Sequence, residues 1–206
     1  MKKSIALMLA IVLALSLAAC GGGSLPGVEK SAQVGDKVTL GNIDWYVLAV
    51  ESGKALLLSE KVLETRAYHS SNIEITWEDC DLRAYLNGSF YDNNFSDQEK
   101  KKIIETDLLN EDTSGNIGTK DKVFLLSKDE VAYYMGDTAH VNMKNAKQAV
   151  DLNLKASWWW LRSPVYYFSN YDYYYAAYVY SDGVFNYDYG VYNDSGGVRP
   201  ALWLNL

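Results

Sequence analysis

Tyr175-Ala176-Ala177-Tyr178-Val179-Tyr180-Ser181-Asp182-Gly183-Val184-Phe185-Asn186-Tyr187-Asp188-Tyr189 sets the fold class of this 206-residue chain. Residues 175–180 alternate as a strand does. Ser181-Asp182-Gly183 is a hairpin turn signal, and residues 184–189 return beside the first strand. Just upstream, Trp158-Trp159-Trp160-Leu161 is a dense apolar run that Arg162-Ser163-Pro164 stops. Downstream, residues 197–204 read as a final apolar strand. The C-terminal end is thus a meandering antiparallel sheet.

The middle of the chain is mixed. Residues 38–40, 43–50 and 55–59 read as short strands broken by Gly41-Asn42 and Ser52-Gly53. Three capping boxes then announce helices. Thr76 with Asp79 opens one carrying Trp77, Cys80, Leu82 and Leu86. Ser96 with Glu99 opens one carrying Ile103 and Ile104, and Ser127 with Glu130 one carrying Val131 and Tyr134. Residues 110–119 read as a polar loop, 123–126 as a buried strand and 145–154 as a further short helix. The sum is an α+β domain of short helices and an antiparallel sheet, spanning residues 34–206, with no second domain and no repeat.

The N-terminus carries a separate signal. Lys2 and Lys3 precede an almost purely apolar run, residues 5–19, too short for a comfortable membrane span. Residues 1–19 therefore read as a signal peptide. Leu17-Ala18-Ala19-Cys20 resembles the lipobox of bacterial lipoproteins, which implies cleavage before Cys20 and lipidation of its sulfur. Residues 20–33, with Gly21-Gly22-Gly23-Ser24, then form a flexible tether. The expected location is the extracellular face of a bacterial envelope, held to the membrane by a lipid anchor. Cys80 is the only other cysteine, so a lipidated Cys20 leaves no intramolecular disulfide.

Composition narrows function further. Nineteen basic residues against 26 acidic give a net charge of −7. Such a surface repels nucleic-acid phosphates, and no basic stripe offsets it. His69 and His140 lie far apart in sequence, and no hydrolase, zinc-protease or phosphate-loop motif is present. Asp92-Asn93-Asn94 and Asn110-Glu111-Asp112 read as solvated loop polar groups rather than a cation site. No catalytic residue, metal or cofactor is expected.

One stretch is compositionally abnormal. Eleven of the 17 tyrosines fall between Tyr166 and Tyr192. Residues 165–197 use Tyr, Asn, Asp, Ser, Phe, Gly, Ala and Val alone. Lys, Glu, Gln, Met and Trp supply 38 of the 206 residues, so about six would be expected in that stretch at average usage, and none occurs. Randomising the adenines of AAC or AAT codons yields Tyr, Asn, Asp, Ser, Phe, Ala, Val and Gly, and never the five missing types.

On this pattern the chain resembles the variable proteins of diversity-generating retroelements, whose adenine-specific mutagenesis rewrites the C-terminal end of a target gene. Trp158-Trp159-Trp160-Leu161-Arg162-Ser163 and Gly197-Val198-Arg199-Pro200-Ala201-Leu202 look like the fixed flanks of such a protein. They also resemble an uncharacterised bacterial extracellular domain family sharing the Trp-Leu-Arg-Ser and Gly-Val-Arg-Pro-Ala-Leu motifs. The resemblance implies a C-type-lectin fold of the formylglycine-generating-enzyme type. The enzyme branch of that superfamily uses two active-site cysteines, so the resemblance implies that this chain lacks the activity.

The residue types argue for binding independently. Tyrosine buries a large amphipathic surface at low entropic cost, while Ser, Asn, Asp and Gly supply adaptable hydrogen bonds, as in antibody paratopes. The expected contacts are Tyr166, Tyr167, Phe168, Ser169, Asn170, Tyr171, Asp172, Tyr173 and Tyr174. Asn186, Tyr187, Asp188, Tyr189, Tyr192, Asn193 and Asp194 form a second cluster. Ala177, Val179, Gly183 and Val184 read as scaffold, Tyr178 and Tyr180 as framework tyrosines. Arg162 and Arg199 are expected to hold structure beneath the segment through bidentate or stacking contacts. The alternative for the tyrosines is plain sheet packing, since tyrosine has high β-propensity.

The function this supports is a lipoprotein that binds external ligands, chiefly proteins, through a diversified surface without catalysis. A fixed adhesin or glycan-binding module is the alternative within binding, and a cell-envelope enzyme the alternative from another class. The lipid anchor is directly testable: Cys20→Ser releases the protein from the membrane fraction. Persistent membrane association of that variant would contradict the lipobox reading.

Overall fold

Two five-stranded sheets, linked by a handful of short helices, carry the domain. The computed structural model describes residues 31–112, 115–136, 146–165 and 174–206. Cys20, His140, Asn145 and residues 166–173 lie outside these.

β1 (Lys37–Leu40), β2 (Ile43–Glu51) and β3 (Lys54–Ser59) form an antiparallel meander. Its turns are the two read from sequence. Gly41 and Asn42 have φ of 62° and 57°, Ser52 and Gly53 of 50° and 79°. Positive φ at both central residues marks the turn whose twist matches the flanking strands. Gly41 is also sterically fixed, because a Cβ there would lie 2.4 Å from the Asn94 carbonyl oxygen.

β4 (Glu64–Thr65) leads to α1 (Asp81–Tyr85), which continues through Leu86–Phe90, kinked at Gly88, into α2 (Tyr91–Asn94) and then α3 (Asp97–Lys100). There follow β5 (Ile103–Ile104), the hairpin β6 (Thr106–Asp112) and β7 (Gly115–Asp121), and α4 (Lys128–Met135). β8 (Ala149–Val150) and β9 (Ala156–Ser157) pair with each other. β10 (Trp159–Val165), β11 (Tyr175–Val179), β12 (Phe185–Asn186), β13 (Gly197–Val198) and β14 (Ala201–Asn205) complete the chain. One sheet runs β1-β2-β3-β14-β5, the other β12-β11-β10-β13-β4. All pairings are antiparallel except β10 with β13. This sheet-rich architecture with few short helices is compatible with the α+β class.

Several local expectations change. The first helix starts at Asp81, not after Thr76. Its N-cap is Cys80, whose sulfur accepts the Arg83 amide at 3.4 Å. The thiol is buried, which pushes its pKa up to about 12. The Ser96–Glu99 box forms, but its helix lasts one turn, and Ile103 and Ile104 become a strand beside β14. Two adjacent β-branched residues pair with a sheet edge better than they extend a short helix. Of residues 145–154, those described begin with Ala146 in helix and pass through a turn into the short strand Ala149–Val150 and a second turn, while Asn145 lies outside the described residues. The return strand after Gly183 is only Phe185–Asn186, and the run through Arg162-Ser163-Pro164 continues as strand past a bulge.

The stretch 110–119 is a hairpin rather than a loop, held by a buried polar chain. Asp121 is fully buried and accepts Trp77 Nε1 (2.9 Å), Thr119 Oγ1 (2.9 Å), Arg83 Nε (2.6 Å) and Asn87 Nδ2 (3.3 Å). Asn110 Nδ2 donates to Thr119 Oγ1 at 2.9 Å and its Oδ1 accepts Arg162 Nε at 3.0 Å. Polar composition here signals mutual satisfaction in the interior, not solvation.

The expected final strand, residues 197–204, is split. Gly197–Val198 belongs to one sheet and Ala201–Asn205 to the other, so Arg199-Pro200 is where the chain changes sheets. Arg199 is fully buried and donates to the carbonyls of Ser59 (2.9 Å), Ala146 (2.6 Å) and Glu60 (3.2 Å). Its guanidinium lies 4.9 Å from the Trp159 ring centroid. Arg162 instead forms a bidentate pair with Glu130, at 2.5 and 2.7 Å.

Glu130 therefore serves twice, closing the capping box of α4 and neutralising a buried guanidinium. Glu130→Ala should cost about 3–5 kcal/mol, as expected when a buried pair loses one partner. Glu99→Ala, whose box is exposed, should cost about 1 kcal/mol. Equal shifts of the urea midpoint in the two variants would refute this division.

Candidate functional site

The floor beneath the tyrosine-rich segment is aromatic and closely packed. β10 and β11 bring Trp160 and Tyr178 together, with ring centroids 6.2 Å apart and nearly perpendicular planes. Trp158 stands 4.8 Å from Trp160 and 5.0 Å from Tyr178. Tyr189 stacks on Tyr178 at 4.6 Å with planes 11° apart, and meets Trp158 at 4.5 Å. Each such pair contributes about 0.5–1.5 kcal/mol beyond the area it buries. At Gly196 a Cβ would overlap Trp160 Nε1 at 1.8 Å, so only glycine lets the chain pass this ring.

Above the floor the expected contacts divide. Tyr174 and Tyr192 are exposed, at 42% and 45%. The Tyr192 ring lies over Gly190, where a Cβ would come within 2.6 Å of it. Asp188 and Asp194 are exposed, and Asn186, Tyr187 and Asn193 are half-buried. The Tyr187 ring has the Lys128 ammonium 5.3 Å from its centroid. Asn193 Oδ1 caps its own turn, accepting the Ser195 amide (3.0 Å) and hydroxyl (2.6 Å). Tyr189 is half-buried and belongs as much to the floor as to the surface. Asp188, Tyr189, Gly190, Tyr192, Asn193 and Asp194 line a shallow depression of about 490 Å³. Five of the second cluster's seven residues thus come together, and Asn186 and Tyr187 lie outside the depression. Of the first cluster, Tyr166, Tyr167, Phe168, Ser169, Asn170, Tyr171, Asp172 and Tyr173 lie outside the described residues.

Scaffold expectations mostly match. Ala177, Val179, Gly183 and Tyr178 are buried, whereas Val184 is 58% exposed at the hairpin tip and Tyr180 is 41% exposed. Val184 follows the turn, where Asp182 Oδ1 accepts its amide at 2.9 Å, and its side chain points away from the sheet interior.

Sequence reasoning missed one wall. Residues 66–72 run along the base of the segment. The Arg66 amide donates to Gly196 O (2.8 Å), the His69 amide to Val191 O (2.9 Å), and Asn72 Oδ1 accepts the Tyr174 amide (3.2 Å). Val191 N in turn donates to Tyr174 O at 2.9 Å. The partners of residues 66–72 lie more than a hundred residues further along the chain, and no local motif announces them. Beside this wall, His69 Nδ1 lies 3.2 Å from Asp81 Oδ2 without hydrogen-bond alignment. Asp81 itself is held below the usual carboxylate range, chiefly by hydrogen bonds from Ser70.

A sequence profile for a domain of unknown function, DUF6273, matches residues 52–206. The chain belongs to that family. The DUF6273 region runs from the turn before β3 to the C-terminus, so it includes the aromatic floor, both flanking motifs and the whole tyrosine-rich segment. No curated protein and no solved structure matches the chain. Among the described residues of this DUF6273 protein, no group of three or more His, Cys, Asp or Glu is placed to hold a metal ion, and no helix is long and apolar enough to cross a membrane.

One titration probes the floor. Tyr178 donates a short hydrogen bond to Asp188. Burial first, then that bond, pushes its hydroxyl well above the ordinary phenol range. A folded pKa above the unfolded one means this contribution is intact below about pH 10 and lost as pH rises past it. Tyr178→Phe should cost roughly 1 kcal/mol at neutral pH and reduce the loss of stability above pH 10. An unchanged alkaline stability profile in that variant would show the bond to be immaterial.

Proposed function

We propose that this protein is a lipid-anchored surface receptor that binds external proteins through its tyrosine-rich face, by recognition without a chemical step. The observation that carries the reading is the layering of residues 174–194. Tyr174 and Tyr192 stand exposed with Asp188 and Asp194 above a floor whose rings are locked by Trp158, Trp160 and Tyr178. A rigid floor lets surface residues change without disturbing the core, which is what a diversified face requires. Exposed tyrosines on fixed backbone lose little entropy on binding, and tyrosine is enriched at interface hot spots. The shallow, open depression suits a protein surface better than a buried substrate.

The proposal takes a C-type-lectin-type scaffold as the frame, with which the sheet-rich architecture is compatible. It takes retroelement-driven exchange as the source of the segment's residue bias, and the lipidated Cys20 as the anchor that presents the face outside the cell.

The test uses a partner selected on the full chain from a displayed library of extracellular proteins. Replacing Tyr171, Tyr173 and Tyr174 together with alanine should abolish its binding with little change in melting temperature. Unfolding of the variant would make those tyrosines core, and retained affinity would place the binding face elsewhere. Preferential selection of glycan-bearing partners through their sugars would favour a fixed adhesin instead.

A further inference from the structure

A second concavity lies on framework residues, outside the tyrosine-rich segment. It is about 460 Å³, within the range of small-molecule sites. We propose that it binds a neutral, hydroxyl-rich ligand the size of a mono- or disaccharide.

Charge balance gives the ligand class. Three carboxylates line the groove, those of Asp44, Glu60 and Glu64. Glu60 is paired with Lys37, and Glu64 with Arg66 at 3.2 Å, while Lys61 adds a third cation from within the lining. The balance leaves no net charge to select an anion or a cation. What remains is hydrogen-bonding capacity of both kinds. Asp44 uses one oxygen on Thr39, Glu60 one on Lys37, and Asn94 only its amide nitrogen, on Phe90 O. The Asn42 amide and the Lys61 ammonium have no partner among the described residues. A ligand that donates and accepts at many points without carrying charge matches this set, as hydroxyl groups do.

The lining also has an apolar part, Ile43, Leu63 and Phe90 with Leu152, the last 61% exposed. A pyranose ring has the same mixed character, hydroxyls around its rim and C–H groups on its faces. The lining is also preformed. Tyr85 is clamped by the Arg66 guanidinium 3.6 Å from its ring centroid, by its hydroxyl on Glu64 and by the Phe90 edge at 5.9 Å. Tyr85 and Phe90 flank a kink, where Gly88 breaks the helix with φ −105° and ψ −109°. A preformed groove loses little entropy on filling.

Saturation-transfer NMR on the full chain tests the assignment. The probes are glucose, galactose, mannose, N-acetylglucosamine and their β1,4-linked disaccharides, with spermidine and glucuronate as charged comparisons. At least one neutral sugar should receive saturation. Its Kd should rise about tenfold in Asn42→Gly or Glu60→Gln, the loss expected for one hydrogen bond to a charged or buried partner. Asn42 already has φ 57°, so glycine there keeps the turn. Tyr192→Ala should leave the sugar's Kd unchanged. The proposal is overturned if no neutral sugar binds, if spermidine or glucuronate binds more tightly than every neutral sugar, or if sugar binding is the same in both groove variants.

Discussion

The guanidinium of Arg199 is the point on which the two sheets turn. It has no solvent exposure, and three backbone carbonyls receive its protons while the Trp159 ring covers one side. No carboxylate pairs with it among the described residues, and its burial lowers its pKa. A buried charge satisfied by carbonyls alone is costly unless their positions are fixed. They are: Ser59 and Glu60 end the first meander, and Ala146 precedes β8. The next residue, Pro200, accepts the Ser59 amide at 2.9 Å and opens β14. The chain leaves one sheet and enters the other at this residue.

The second sheet inherits its rigidity from that junction. β13 is parallel to β10 at Trp159, so the position of Arg199 fixes the tryptophan run, and the run fixes Tyr178 and Tyr189 through ring contacts. Arg162 extends the same logic toward α4 and the hairpin through Glu130 and Asn110. The exposed residues of the segment therefore stand on a base shared between Trp158 and Trp160, which precede it, and Tyr178 and Tyr189 within it. That separation of fixed base from permissive surface is the physical content of the proposed binding face.

Much of this was legible locally. The two positive-φ turns of the first meander and the capping boxes at Ser96 and Ser127 were readable because their chemistry is confined to four residues. Ala177, Val179 and Gly183 are buried as expected, but Ala176 and Tyr178 are buried as well, so β11 is covered on both faces and its alternation does not mark an exposed side. What failed was nonlocal. Ile103 and Ile104 left helix for strand because β14 offered an edge. Residues 110–119 hid a buried network whose partners, Trp77, Arg83 and Arg162, lie far along the chain. The break at Arg199 was invisible because Val198, Pro200 and Ala201 look like one apolar run. At the candidate site, composition located the tyrosine cluster, but the wall formed by residues 66–72 is held largely through backbone groups and left no signature in residue type.

The account stands or falls on whether the segment is diversified. Sequencing the DNA downstream of this gene addresses that directly. The account predicts a near-copy of the stretch encoding residues 165–197 beside a reverse transcriptase gene, differing from it only where the copy carries adenine. No such copy, or differences scattered over all four bases, would contradict it and leave a fixed tyrosine-rich surface.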